Sequence, residues 1–202
     1  MVLAGLGTSA AALAAAPALM PPGYSWVSHT TSESAAQGVD GASLARTGFV
    51  LFGLSVILLA TSRRQRWGSW ATALHAGFGA LLVAAAVFSH RPWVAGEDFD
   101  HVEDVLHSVA ATAMGFVFVG GVVVTALGRS RGDTWPRALD IMAVASSVAI
   151  PLGMAAQPDI DGVLQRLMFV VAYAWYGAEA VRATRDRRPN GSRSRSDAVQ
   201  IQ

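Results

Sequence analysis

Apolar residues along the chain fall into six long blocks, separated by short stretches where charged residues, Pro, Gly and Trp collect. A helix crossing a hydrocarbon core takes about 20 mostly apolar residues, because no water is present there to satisfy unpaired backbone groups. The blocks that meet this requirement are residues 2–20, 44–62, 70–89, 105–127, 138–156 and 162–181. Three of them, GFVLFGLSVILLA, ALHAGFGALLVAAAVF and VLHSVAATAMGFVFVGGVVVTAL, carry no charge in their central turns and are too long for strands. The pattern predicts an all-α, polytopic transmembrane helix bundle of six spans over residues 1–182, with Ala73/Gly77 and Ala111/Gly115 as small-residue packing pairs. The first block admits a second reading, a signal peptide cleaved near Pro17 after its Ala-x-Ala pattern. It lacks a basic leader, so a retained helix is the expectation.

Charge placement orients the bundle. All 15 basic residues are Arg, and twelve of them lie after the second span, after the fourth span or in the tail. The other three, Arg46, Arg91 and Arg166, share their side with nine carboxylates: Glu33, Asp40, Glu97, Asp98, Asp100, Glu103, Asp104, Asp159 and Asp161. The arginine-rich side is cytoplasmic by the positive-inside rule, which puts both chain ends inside (N-in/C-in) in a prokaryotic plasma membrane. Trp26, Trp67, Trp70, Trp93 and Trp135 sit at span ends, as an interfacial belt requires, and only Trp175 falls within a span. Residues 183–202, rich in Arg and Ser, have almost nothing to bury and are predicted to form a disordered cytoplasmic tail.

Composition narrows the functional classes. Of 202 residues, 52% are hydrophobic and only 14% charged, against about a quarter charged in soluble domains. The net charge of +1 gives no footprint for nucleic acid, and the absence of cysteine excludes disulfides, thiolate metal sites and Cys nucleophiles. No ionisable residue occupies the middle of a span, which speaks against an ion-coupled transporter.

The segment GYSWVSHTTSESAAQG, followed by the span beginning TGFVLFGL, resembles the start of a prokaryotic membrane-protein family, domain of unknown function 998, whose members carry a Tyr-Ser…Ser-Glu stretch there. Leu106 with His107, and Gln165 with Arg166, are further matches, while EDFDHVED replaces the family's usual Phe-Pro-x-Asp-like turn. The resemblance covers nearly the whole chain and implies a six-helix membrane fold. It brings no agreed activity.

Candidate chemistry gathers on the acidic side. Asp100, Asp104 and His107 share one helical face at i, i+4 and i+7, and His29 and His90 lie on the same side. Carboxylates with imidazoles suit zinc or manganese, yet the same acids are what a helix N-terminus favours, and that structural role is the expected one. Arg166, one turn into the sixth span, needs a partner, with Asp159, Asp161 or the Asp104 region within reach; otherwise its fork suits a lipid phosphate. His75 is near the arginine-rich end, at the wrong depth to share a haem with His90 or His107, and no cofactor is expected. Asp140 is placed to meet a helix dipole, Glu179 to pair with Arg182, and Thr30 with Glu33 to form a capping box. The function expected is non-enzymatic: binding of membrane lipids, a membrane protein partner or a second copy of the chain through the extracytoplasmic face. A metal-dependent hydrolase of a lipid-linked substrate is the first alternative, and a small-solute permease the second.

Overall fold

The computed structural model describes residues 1–94, 96–129 and 134–186. Every regular element among them is helical. Helix α1 spans Val2–Ala15 and passes into a 3₁₀ turn, Ala16–Leu19, where Pro17 removes a backbone donor. Helix α2 spans Ala42–Val87, α3 His101–Leu127, α4 Thr134–Ala156 and α5 Asp161–Asp186. Four helical stretches, Val2–Leu19, α2, α3 and α4, are long and apolar enough to cross a membrane; α5 is long enough but more polar, with Gln165 and Arg166 in its second turn.

Helix α2 is two arms. Gly68 has φ 75° and ψ 174°, a conformation open essentially to glycine alone, and it interrupts the helix. In a straight helix residues 53 and 79 would be about 39 Å apart, at 1.5 Å per residue. Instead a Cβ on Gly79 would lie 2.5 Å from the Gly53 carbonyl oxygen, so the arms fold back and pack glycine to glycine. The small-residue pairs expected at Ala73/Gly77 and Ala111/Gly115 are not the contacts used: a Cβ on Gly77 or Gly115 would meet nothing within 4 Å. Small residues at helical spacing show where backbones could approach, and pairing is decided by which face turns inward. Gly121 is such a face, since a Cβ there would press on the His75 ring at 2.7 Å.

The interior is aromatic. Phe52 stacks on Tyr173 at 4.1 Å and Phe78 lies 5.2 Å from Tyr176, with Trp175 and Tyr176 fully enclosed. Meanwhile Phe116, Leu127, Ile141, Val148 and Leu152 stand exposed. That outside is apolar, while Arg63, Asp140 and Glu179 are buried, an arrangement suited to lipid as solvent. Helix α1 belongs to this core: Leu6, Ser9, Ala12 and Leu13 are buried, and Ser9 donates to the Gly48 carbonyl at 2.6 Å.

Boundaries differ from the sequence expectation at three helices: α4 begins at Thr134, four residues ahead of its apolar block, and α3 and α5 differ for identifiable reasons. Asp100 caps α3, accepting from Val102 N at 2.7 Å and Glu103 N at 3.2 Å, so that helix starts four residues ahead of the apolar block. At the other end, Arg63 and Arg66 pair with Asp186 and extend α5 four residues into the segment assigned to the tail. The remainder of that segment, 187–202, lies outside the described residues.

Candidate functional site

Polar side chains concentrate at the two ends of the bundle. At the end bearing the arginines, a buried ionic cluster joins α2, the segment just after α3, α4 and α5. Arg129 meets Asp140 with both fork nitrogens, at 2.5 and 2.9 Å, and donates to Glu179 at 2.9 Å. Glu179 also takes Trp67 Nε1 at 3.3 Å and lies 3.6 Å from Arg63 and 3.4 Å from Arg182. Trp175 Nε1 donates to Asp140 at 2.8 Å. Next to it, His75 has both ring nitrogens engaged, with Tyr176 at 2.9 Å and Thr125 at 3.2 Å, and is stacked on Trp175. No nitrogen of His75 is left for a haem or metal.

Sequence reading located Asp140 and Glu179 but gave them local roles. The i, i+3 contact of Glu179 with Arg182 exists, yet the shorter bonds come from Arg129, 50 residues away. Arg63 and Arg129, read as topology determinants, are 6% exposed or nearly so and act as counter-ions. The available signal was two carboxylates just inside the ends of apolar blocks, on the side where arginine abounds.

At the opposite end, loop residues 20–41 fold over the start of α5. Thr30 and Glu33 form the expected capping box: Glu33 N donates to Thr30 Oγ1 at 3.1 Å, and Thr30 N to Glu33 Oε2 at 2.6 Å. Gln165 Oε1 accepts from Thr31 N at 2.7 Å and Ser32 N at 3.2 Å. Arg166 Nη1 donates to the carbonyls of Trp26 at 2.7 Å, His29 at 2.8 Å and Gly162 at 2.9 Å, and Nη2 to the Tyr24 hydroxyl at 2.6 Å. None of the acids expected as its partner pairs with it: Asp159 is exposed, Asp161 buries an oxygen that accepts no hydrogen bond, and Asp104 serves another joint. Backbone carbonyls from a distant loop took the place of those acids.

The proposed metal residues are dispersed into structural tasks. Asp100 is the α3 cap, and Asp104 accepts from Arg91 N at 2.9 Å with His90 at 3.9 Å. His107 Nδ1 donates to the carbonyls of Ala85 at 3.0 Å and Phe88 at 2.9 Å, closing the C-terminus of α2. His29 accepts from Ser25 N and packs between Tyr24 and Trp93. His90 and His107 approach at 5.4 Å between ring centres. Among the described residues no group of three or more His, Asp or Glu is placed to hold a metal ion.

Between α1 and α5 runs an apolar groove of about 590 Å³, walled by Leu13, Ala14, Pro17, Phe169 and Val170. Arg166 and Trp26 line it too, and Tyr173 lies seven residues further along α5, its hydroxyl 2.5 Å from Ser9 Oγ. A smaller crevice of about 190 Å³ lies by Arg129, Trp135 and Arg185 at the arginine end.

These features place the chain among all-helical proteins with helices long and apolar enough to cross a membrane. It belongs to the family described as Protein of unknown function (DUF998), whose model matches residues 2–182, in agreement with the resemblance seen in the sequence. Comparison with curated proteins and with solved structures gives no match.

Proposed function

We propose that the chain is a six-span protein of a prokaryotic plasma membrane, with both ends in the cytoplasm, that holds a membrane lipid in the groove between α1 and α5. The two arms of α2 count as separate spans in this reading, and α5 is the sixth. The observation that carries the lipid assignment is the groove. It is apolar between Arg166 and Tyr173, which at 1.5 Å per residue is a depth of about 10 Å. The hydrocarbon half of one leaflet is about 15 Å, so the groove matches an acyl chain entering from the extracytoplasmic leaflet. Its length along the helices favours a lipid over a polar solute, and the dispersal of His29, His90, Asp104 and His107 removes support from a metal-dependent hydrolase.

Ala14 is exposed and lines the groove, so Ala14→Trp fills it without entering the core. The full chain, extracted in mild detergent, is expected to retain lipid by native mass spectrometry, and Ala14→Trp to lose most of it with unchanged thermal unfolding. Equal retention by the two proteins would remove the groove from the function.

A further inference from the structure

We infer that the lipid in this groove carries an anionic oxygen head, which supplies the counter-charge that Arg166 lacks within the protein; the inference rests on the groove reading above. Every hydrogen bond recorded for the Arg166 guanidinium goes to a neutral acceptor: three backbone carbonyls and one phenol. Carbonyl dipoles fix its orientation but leave its unit charge uncompensated. The phenol stays neutral, since the Tyr24 hydroxyl itself donates to the Thr30 carbonyl at 3.0 Å, and burial foremost pushes its pKa up.

The nearby carboxylates form no ion pair with it. Glu33 spends Oε2 on Thr30 N and Oγ1, at 2.6 and 2.9 Å. Asp161 is raised above its usual range, first by burial and then by the Glu33 charge, the reverse of what an arginine partner would do. Among the described residues Arg166 makes no ion pair, whereas Arg63 and Arg129 at the other end each make two.

Position adds the second half of the case. Arg166 lines the groove at the end where the loop closes over α5, so a cation terminates an apolar trough, the complement of an amphiphile. The seat is specific as well. A Cβ on Gly162 would lie 2.5 Å from the Trp26 carbonyl and 2.8 Å from Arg166 Nη1, so only glycine leaves room for the fork at this depth. A guanidinium has five N–H groups, and among the described residues Nε–H makes no hydrogen bond, which leaves it for a phosphate or carboxylate oxygen.

The test uses the full chain in nanodiscs or mild detergent, with dioleoylphosphatidylglycerol and dioleoylglycerol as probes of equal chain and different head. Wild type is expected to retain the phosphatidylglycerol about tenfold more than the diacylglycerol, as a charge-assisted hydrogen bond implies. Arg166→Gln is expected to bring the two probes level, Ala14→Trp to remove both, and millimolar inorganic phosphate to displace neither. Equal retention of the two probes by wild type overturns the anionic head while the groove reading stands; retention of neither overturns the groove reading itself. Displacement of phosphatidylglycerol by inorganic phosphate overturns the lipid source of the anion. The wild-type comparison decides the matter even where Arg166→Gln fails to fold.

Discussion

Glu179 is the residue on which the arginine end of the bundle turns. It is 2% exposed and receives Arg129, Trp67, Arg63 and Arg182. Glu179→Gln keeps the shape but leaves two buried guanidiniums sharing Asp140 and Asp186, and losing one member of a buried ion pair costs about 3 kcal/mol. Thermal unfolding in detergent is expected to show a large loss for Glu179→Gln and none for Glu97→Gln, which alters an exposed acid. Equal shifts for the two would show that the cluster is not holding the helices together. Asp186 gives a pH signature at the same end. The Arg63 hydrogen bond first, and the charges of Arg63, Arg66 and Arg182 after it, hold this carboxyl below its usual range. A folded-state pKa below the unfolded one contributes stability above about pH 4, lost as pH falls through the folded value. Asp186→Asn is therefore expected to flatten the acid limb of the Tm against pH curve; as Asp186 is partly exposed, the change is modest. Single-residue chemistry was legible in the sequence where it is local. Thr30 and Glu33 are three residues apart, and their box could be read from spacing; three of the four partners of Arg166, two backbone carbonyls and the Tyr24 hydroxyl, lie more than 130 residues away, and the carbonyls carry no mark in residue identity.

For whole elements the sequence was legible in existence and weak in pairing. Apolar length marks a helix because the backbone must satisfy itself in lipid, and every predicted block is helical in the structure over most of its length. Where α2 turns was also visible, since Arg, Trp and Gly interrupt the apolar run at residues 63–68. Contact faces were not, because Gly53, Gly77 and Gly79 look alike until the arms meet. The turn itself can be tested. At Gly68 an added Cβ would meet nothing within 4 Å, so any cost of substitution is conformational. Gly68→Ala and Gly68→Asn are both expected to destabilise by roughly 1–3 kcal/mol, since φ 75° with ψ 174° lies outside the left-handed helical region that Asn tolerates. Gly77→Ala, also in open space but within the helical arm, is expected to be neutral or slightly stabilising. A tolerant Gly68 would mean that the two arms can be joined by another backbone path.

Across the whole molecule, charge is sorted by end, and this is what connects the fold to a membrane. Arg64, Arg66, Arg182 and Arg185 lie at the end holding the buried cluster, whereas Asp40, Glu97 and Asp159 lie at the end closed by the loops. If lipid surrounds the exposed Phe116, Ile141, Val148 and Leu152, the arginines must remain on the side of synthesis, because moving them across the bilayer is costly. The chain contains no cysteine, so single cysteines report without background. Asp40→Cys and Glu97→Cys, both at exposed loop positions, are expected to react with a membrane-impermeant maleimide on intact cells, and Arg64→Cys and Arg185→Cys only after permeabilisation. Labelling of Arg64→Cys from outside would invert the bundle, and with it the leaflet from which a lipid reaches Arg166. Because α1 forms one wall of the groove and Ser9 bonds to both Gly48 and Tyr173, the same reading requires α1 to stay attached in the mature protein. N-terminal sequencing is expected to find residues ahead of Pro17; a mature chain starting there would leave Phe169 and Val170 facing lipid with no trough to hold a single molecule.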